Sequence, residues 1–425
     1  MLNDSDLEAA AAVDEARLWR RHAAMAAIGA TANGGVNRPA LSAEDGAARA
    51  LLASWACRRG FAVAVDAIGN MFVRRAGTDP DAWPILTGSH MDTQPTGGRF
   101  DGIYGVLAGF EVLEALEDRG IATRRPVEVA AWTNEEGNRF QPGAMGSAVF
   151  SGVFDFAAML EVEDRAGIRV ATALADTLRA TPDALARGVP GFPLDGYVEA
   201  HIEQGPRLEA AGMTIGVVSG VQGHRRFLVD VIGEEAHAAA APRRQRKDAL
   251  LAAARIVTVL ARALADDADS IRFTVGRFDV HPNGPGIVPG RVTFTINLNH
   301  PELAVLEACE RQIRFAVAAE AAPCTASIST MTAREPVVFS PSVMDLIRRG
   351  ADGLALAHME MLSHAGHDAM HLARVCPSGM IFVPCLAGIS HNEAESATSA
   401  DLAAGARVLA ATLVAMAQAP SVITP

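Results

Sequence analysis

Residues 84–116 read PILTGSHMDTQPTGGRFDGIYGVLAGFEVLEAL, and this stretch decides the fold. A short apolar run ends in Gly-Ser-His, a glycine-rich polar loop follows, and residues 105–116 have the apolar spacing of a buried helix. Amphipathic helices up to Cys57 and a hairpin over residues 61–75 are predicted before it, and VEVAAWTNEEG at 127–137 is a second buried strand that ends in polar residues. This order is typical of an α/β sheet, in which ligands collect at the carboxyl ends of the strands.

A different order of elements follows and predicts a second domain. Strand, helix, strand, strand, helix and strand succeed one another, which is the βαββαβ order of the ferredoxin-like fold. These elements are predicted over 226–232, 248–264, 271–280, 292–297, 303–319 and 325–330. After Pro336 the chain returns to a helix, the buried strand GMIFVP (379–384) and another polar loop. The sequence therefore predicts a larger α/β domain, residues 1–215 and 335–425, with an inserted domain, residues 216–334.

Composition excludes several classes of protein. The net charge of −12, without a basic cluster interleaved with aromatic residues, argues against a nucleic-acid partner. No run of about 18 consecutive apolar residues exists, and the acidic start lacks the pattern of a secretory signal, so we expect no membrane partner. Five scattered cysteines without CxxC spacing indicate reduced thiols and a cytoplasmic protein.

Four separate segments place a histidine or a carboxylate after a predicted strand. They contribute His90 with Asp101, Glu135 with Glu136, His201, and His391. Each alone also fits a structural role, as a chance His-x-Asp loop, a solvated acidic turn or a lone packed histidine. Together they offer imidazole and carboxylate ligands suited to Zn²⁺, and one bridging carboxylate would hold two ions about 3.5–4 Å apart.

Two carboxylates in these segments need a separate explanation. Glu135 and Glu136 are adjacent and repel each other, unless one binds metal while the other serves as a base. Asp92, two residues after His90, is placed to accept the other ring N–H of His90 and so to act from outside the ligand shell. The pattern therefore indicates a metal centre with a carboxylate base beside it.

Six motifs resemble the amidase/hydantoinase/carbamoylase family, in the clan of di-metal aminoacylases and carboxypeptidases. The resemblance covers about residues 23–413 and rests on GSHMDTQPTGGRFDGIYGVLAGFEVLEAL, TNEEGNRFQPGAMGS, YVEAHIEQGP, AHAAAAPRRQRKDAL, AGHDA and GISHNEAE. It implies a two-domain, di-zinc peptidase-like α/β fold whose inserted ferredoxin-like domain serves as a lid and for dimerisation. The implied reaction is hydrolysis of a linear ureido C–N bond of a small molecule, which gives an amine, ammonia and carbon dioxide.

The resemblance also implies a role for individual residues. It makes Asp101 the bridge between two divalent ions per subunit, Glu135 the general acid/base, and the terminal ligands His90, His201, His391 and Glu136. Zinc fits these ligands, and manganese, cobalt or nickel would also fit. His237 matches a histidine that steadies the oxyanion, commonly in the partner subunit, which implies a homodimer through the inserted domain. Substrate contacts fall on Gln204, His224, Asn283 and Asn299.

The inserted domain departs from the family pattern where a substrate carboxylate is expected to bind. Asn297 and Asn299 stand where Asp-x-Arg is usual, and an amide cannot copy the two-pronged grip of Arg on a carboxylate. Residues 238–241 are alanines in place of a segment with two hydroxyls, and Gly286 replaces an Asn. Four residues offer a displaced cation: Arg225, Arg226, Arg243 and Arg291.

The substrate therefore stays open between several readings. An N-carbamoyl-L-amino acid leads, and the alternatives are allantoate-type ureide cleavage, an amidase for a substrate without the carboxylate, and a binding protein that has lost turnover.

Overall fold

The structure is a computed structural model that describes residues 4–267 and 270–419. The chain divides into two compact units: a larger one formed by Met1–Gly220 and Val338–Pro425, and a smaller one formed by Val221–Val337. The smaller unit is thus inserted into the larger one in sequence. The mixed α/β fold class predicted from the sequence is confirmed.

The first part of the larger unit alternates helices with strands. Its helices are α1 (Asp4–Ala11), α2 (Glu15–Ala26), α3 (Ala43–Arg58), α4 (Ile103–Arg119), α5 (Met145–Phe150), α6 (Phe156–Leu160), α7 (Val170–Leu178) and α8 (Arg207–Ala211). Its strands are β1 (Ala62–Val65), β2 (Met71–Arg75), β3 (Ile85–His90), β4 (Val127–Trp132), β5 (Leu185–Ala186), β6 (Gly196–Ile202) and β7 (Ile215–Val221). The hairpin predicted over 61–75 is confirmed, because β1 and β2 pair antiparallel. Helices α5 to α8 escaped the sequence prediction, since they are short and lack a long apolar period.

The smaller unit has the predicted βαββαβ order. Its elements are β8 (Gly223–Ile232), β9 (Ala236–His237), α9 (Ala249–Ala263), β10 (Arg272–His281), β11 (Ile287–Val288), β12 (Arg291–His300), α10 (Leu303–Glu320) and β13 (Thr325–Arg334). The four long strands form an antiparallel sheet in the order β10-β12-β8-β13. Alternate residues of β8 and β12 are buried with the apolar faces of α9 and α10, so this unit has a core of its own. The other face of the sheet is open.

The chain then returns to the larger unit. The remaining elements are β14 (Val337–Val338), α11 (Pro341–Gly353), β15 (His358–Ser363), α12 (Ala369–Leu372), β16 (Ser378–Val383) and α13 (Ser399–Gln418). Of the helices described, α13 alone is long and apolar enough to cross a membrane, but most of it is buried inside the protein, as a core helix would be. Its N-terminus is capped by Thr398, whose hydroxyl accepts the backbone N–H of Asp401 (3.1 Å).

The main sheet brings four parallel strands together at its centre. Among the described residues it contains ten strands, with β14-β7-β16-β6-β3-β4-β2-β1-β5 in sequence along the sheet and β15 paired with β7. The pairs β16–β6, β6–β3 and β3–β4 are all parallel. The carboxyl ends of these four strands therefore lie at one edge, which is where α/β sheets bind ligands.

Candidate active site

The four predicted site segments leave that one edge of the sheet. His90 is the last residue of β3, His201 lies near the end of β6, Glu135 and Glu136 follow β4, and His391 lies in the loop after β16. Since the four strands are parallel neighbours, their loops converge. The convergence expected from the sequence is present in the structure.

The first group of possible metal ligands consists of His90, Asp101 and His201. Nε2 of His201 lies 3.2 Å from Oδ1 of Asp101, and Nε2 of His90 lies 3.7 Å from the same oxygen. All three residues are buried. Two imidazoles and one carboxylate oxygen suit a borderline divalent cation.

The second group consists of Asp101, Glu136 and His391. Nε2 of His391 lies 3.2 Å from Oδ2 of Asp101 and 3.4 Å from Oε2 of Glu136. Asp101 thus belongs to both groups and presents a different oxygen to each. The five predicted ligands fit two cations that share one bridging carboxylate, and within each group the ligand atoms lie within 4.8 Å of one another.

A third group was not predicted and consists of Glu199, His201 and His367. It shares His201 with the first group. The ring of His367 packs edge-on against that of His201 at 4.5 Å between centroids, and its Nε2 lies 3.0 Å from Oγ of Ser363. Glu199 is already engaged by the hydroxyl of Ser89 (2.7 Å) and the backbone N–H of Ala369 (2.8 Å). These contacts indicate a layer that supports His201.

Glu135 lies beside both groups of predicted ligands without belonging to either. Its Oε2 is 3.5 Å from Nε2 of His90. Burial raises the pKa of this carboxyl well above its usual range, and the charges of Asp368 and Glu136 raise it further. A carboxyl so placed can hold or release a proton at the reacting centre.

The hydrogen bonds of the two buried histidines fix their tautomers. Nδ1 of His201 lies 2.9 Å from the carbonyl oxygen of Ile202, and Nδ1 of His90 lies 2.9 Å from the carbonyl oxygen of Asp92. Because a carbonyl can only accept, each Nδ1 carries the hydrogen. In the neutral form this leaves the Nε2 electron pair of both rings directed at the site, where that of His201 accepts the backbone N–H of Gly102 (3.2 Å).

The predicted role of Asp92 needs a correction. Its backbone carbonyl, and not its carboxylate, accepts the ring N–H of His90; the nearest carboxylate oxygen is 3.8 Å away. The carboxylate instead accepts the backbone N–H groups of Glu135 (3.2 Å) and Glu136 (3.1 Å). Asp92 therefore orients the acidic pair, because two backbone donors compete successfully for its oxygens.

Gln204, predicted to contact substrate, bonds the bridging carboxylate in this structure. Its Nε2 donates to Oδ2 of Asp101 (2.8 Å) and to Oγ of Ser390 (3.2 Å). Its φ of 54° lies in the left-handed region, which aims the side chain toward the site. Contact with substrate stays a prediction.

Three residues of the site escaped the sequence prediction. The amide of Gln94 donates to Oε2 of Glu136 (2.6 Å), and Ser390 and Glu395 bond Asp101 or its backbone. All three lie inside the motifs quoted above. Their position inside these polar loops was a signal, but the partner of each depends on folding.

The predicted residues of the smaller unit lie in three places. His237 is exposed and forms part of β9, where its Nδ1 accepts the backbone N–H groups of Ala239 and Ala240 (3.2 Å each). Asn283 is exposed in a left-handed turn with φ of 57°. His224 and Asn299 lie opposite each other on the open face of the sheet and are joined by a hydrogen bond of 2.8 Å.

The strand register places an arginine directly opposite each of Asn297 and Asn299. Arg226 lies directly opposite Asn297 on β8, and Arg272 lies directly opposite Asn299 on β10. Arg272 was missed because its strand pairing could not be read from the sequence. Of the other candidates, Arg225 faces the helices and lies 3.4 Å from Glu310, Arg291 is paired with Asp230 at 2.8 Å, and Arg243 is exposed in a short turn.

Asp101 controls the protonation of the ligand cluster. Burial alone would raise the pKa of Asp101, but hydrogen bonds with His201 and His391 hold it well below its usual range. Burial opposes the charged form of His201, but the hydrogen bond and charge of Asp101, together with the charge of Glu199, raise the pKa of His201 to about 9. The hydrogen bond to Asp101 raises the pKa of His391 to about 9, whereas burial lowers that of His90 to about 4. Burial also raises the pKa of Glu136 to about 8.

Metal affinity should therefore increase with pH up to about pH 9. Below that value the metal-free protein carries protons on His201 and His391, and a cation must displace them. Each displaced proton changes the metal affinity about tenfold per pH unit. Competition between protons and metal disappears above the raised pKa of the two histidines. Isothermal titration calorimetry in buffers of different ionisation enthalpy measures the number of protons released when metal binds. An affinity that is constant between about pH 6 and about pH 8 would contradict the assignment.

Gly102 allows the first ligand group to assemble. It lies just before α4 with φ of +66°, and a Cβ atom there would stand 2.2 Å from Cε1 of His90. Only glycine has no side chain to displace the imidazole. The close approach of this backbone is therefore part of the ligand geometry.

Replacing Gly102 by Ala should abolish metal binding, and Gly120→Ala provides a matched control. Gly120 ends the same helix with φ of +60°, but nothing lies within 4 Å of its hypothetical Cβ. Gly120→Ala carries a left-handed penalty of about 1–2 kcal/mol in the free energy of unfolding, and Gly102→Ala should cost more, because its φ of 66° and ψ of −56° lie outside the left-handed helical region. Thermal unfolding should report the cost of each change, while metal analysis should show loss of metal only in Gly102→Ala. Equal metal content in the two variants would refute the role of Gly102.

Comparisons with known proteins identify the family of this chain. Residues 86–415 match the family described as Peptidase family M20/M25/M40. An N-carbamoyl-L-amino-acid amidohydrolase of Rhizobium meliloti is 39% identical over 399 residues, which cover 93% of this chain and 95% of the relative. An allantoate amidohydrolase of Bacillus subtilis is 33% identical over 390 residues, 91% of this chain and 93% of the relative.

A solved structure is similar over nearly the whole chain. The crystal structure of an amidase of the hydantoinase/carbamoylase family from Burkholderia multivorans has a TM-score of 0.89 and 46% sequence identity, and the match covers 96% of this chain and 99% of that one. The resemblance predicted from the motifs is thereby confirmed. The chain therefore belongs to the peptidase family M20/M25/M40, whose matched region contains all five predicted metal ligands.

Proposed function

We propose that this protein hydrolyses a linear ureido C–N bond, with an N-carbamoyl-L-amino acid or a related ureido acid as the substrate. The observation that carries the proposal is the placement of Asp101 in two ligand groups, with Glu135 beside them, 3.5 Å from His90. Relatives named as N-carbamoyl-L-amino-acid and allantoate amidohydrolases support it. The products are an amine, ammonia and carbon dioxide.

The ligand residues would divide between two divalent cations. His90 and His201 would hold one ion, Glu136 and His391 the other, and Asp101 both. Bound there, the ions would polarise the scissile carbonyl and lower the pKa of water. We propose zinc from the ligand types, with manganese, cobalt or nickel as alternatives.

Glu135 is the proposed general acid/base. In its carboxylate form it accepts a proton from the attacking water, and it then delivers that proton to the departing nitrogen. Its raised pKa reflects burial and the repulsion of neighbouring carboxylates. If Glu136 and Asp101 held cations, attraction would replace their repulsion of Glu135, and its carboxylate form would become available. Asp92 acts by orienting Glu135 and Glu136.

Five residues are proposed to contact the reacting substrate. His237 would steady the oxyanion, and in a homodimer this histidine would come from the partner subunit. His224, Asn283, Asn299 and Gln204 would contact the substrate.

We also propose a cytoplasmic location for this protein. All five cysteines are free thiols, in keeping with that location.

A second candidate is cleavage of an allantoate-type ureide or of an amide that lacks the carboxylate. This candidate is favoured by Asn299, whose amide stands where the family resemblance leads us to expect an arginine and is hydrogen-bonded to His224. Arg226 and Arg272, opposite the two asparagines, favour the carboxylate-bearing substrate instead.

Ammonia release by the metal-reconstituted protein tests both. The panel contains N-carbamoyl-L-amino acids, 3-ureidopropionate, allantoate and neutral amides, and the chelator-treated protein is the control. Metal-dependent turnover of a carbamoyl amino acid supports the first proposal, and turnover of neutral amides alone supports the second. Absence of turnover on the whole panel, with two metal ions bound, would contradict both.

A further inference from the structure

Glu395 is a buried carboxylate close to the ligand cluster that the proposed mechanism does not use. It is 1% exposed and lies four residues after His391. Its Oε1 accepts the backbone N–H of Phe100 (2.8 Å) and that of Asp101 (3.1 Å). A buried carboxylate with two such donors is strongly held, because hydrogen bonds to a charged acceptor are short and strong.

The other oxygen of Glu395 reaches the ligand cluster through Ser390. Oε2 lies 3.0 Å from Oγ of Ser390, and the same Oγ lies 2.8 Å from Oδ2 of Asp101. The single proton of this hydroxyl therefore lies between two carboxylates. The side chain of Asp101 and its backbone are both tied to the loop that carries His391.

Packing keeps the two loops in close contact at this point. A Cβ atom at Gly98 would stand 2.0 Å from Cδ of Glu395, so the loop that carries Asp101 wraps closely around this carboxylate. No helix or strand lies between β3 and Asp101, so hydrogen bonds must hold this residue in place. Glu395 supplies one bond directly and one through Ser390, in addition to the bond from Gln204.

We propose that Glu395, acting with Ser390, is a positioning residue that holds Asp101 where its two oxygens serve two metal ions. The inference rests on the proposed metal-dependent function. It predicts that Glu395 controls metal affinity without contacting substrate. Residues that orient metal ligands from outside the ligand shell typically contribute 10–100-fold in affinity.

The test compares metal binding in Glu395→Ala, Glu395→Gln and Glu393→Ala. Glu393 is the matched control, because it lies in the same loop but is only partly buried and bonds Thr31 and Asn33 instead of the loop that carries Asp101. We expect Glu395→Ala to bind Co²⁺ about 10–100-fold more weakly and to change its absorption spectrum. The Gln side chain keeps an oxygen that accepts both backbone N–H groups, so Glu395→Gln should have a Co²⁺ affinity closer to that of the wild type than Glu395→Ala has. Glu393→Ala should match the wild type.

Several outcomes separate a positioning role from a merely structural one. If Glu395→Ala binds both ions with wild-type affinity and spectrum and only melts at a lower temperature, the inference is wrong. If Glu395→Ala does not fold, Ser390→Ala must still weaken Co²⁺ binding and alter the spectrum, and unchanged values would overturn the inference. Failure of the wild-type protein to bind metal would instead refute the proposed function.

Discussion

Replacing Glu135 by Gln should lower turnover by about 10²–10⁴-fold while both metal ions stay bound. The amide has nearly the same shape as the carboxyl, but it cannot accept a proton from water and return it to the leaving nitrogen. Glu135 lies 3.5 Å from His90 and belongs to neither of the two groups of predicted ligands, so the variant should keep its metals. Ammonia release and metal analysis on the same preparation measure both quantities.

The neighbouring variant Glu136→Gln is the control for this prediction. Glu136 lies 3.4 Å from His391 and shares a ligand group with Asp101. The amide in Glu136→Gln should therefore weaken the binding of one of the two ions. Two adjacent isosteric changes should thus give different metal contents and a common loss of turnover. Full activity in Glu135→Gln would exclude its assignment as the base. Loss of metal in Glu135→Gln would show that Glu135 is itself a metal ligand.

The sequence predicted that the candidate ligands lie close together, because a buried parallel strand leaves a strong local signal. His90, His201 and Glu136 each follow or end an apolar run, and parallel strands bring such ends together. Periodicity in the sequence predicted the six long elements of the smaller unit, but not the two-residue strands β9 and β11. Local pattern was therefore sufficient for the fold and for the convergence of the site.

Hydrogen-bond partners and strand register were not predictable in this way. The carboxylate of Asp92 accepts two backbone N–H groups and not the ring N–H of His90, and nothing in the local sequence distinguishes between these donors. Arg272 stands opposite Asn299 only because β10 pairs with β12 in one particular register. Glu395 bonds Phe100, which is distant in the chain, so its role follows from the folded loops alone.

Changing Asp101 to Asn should remove at least one of the two ions and reduce turnover to that of the chelated protein. One oxygen of Asp101 lies 3.2 Å from His201 and the other lies 3.2 Å from His391. An amide offers one oxygen and one nitrogen that carries hydrogens, so it can serve only one of the two groups. Loss of several kcal/mol of charge stabilisation corresponds to about 10³-fold in rate.

His391→Ala distinguishes a bridge from two independent sites. His391 belongs to one group only, so this variant should keep the ion held by His90 and His201 with near wild-type affinity. In Asp101→Asn the remaining ion should also bind more weakly, because its group loses a charged ligand. Metal titrations followed by Co²⁺ absorption report both stoichiometry and geometry. If Asp101→Asn and His391→Ala each lose one ion and leave the other with unchanged affinity, Asp101 does not bridge, and the two ligand groups would have to act separately.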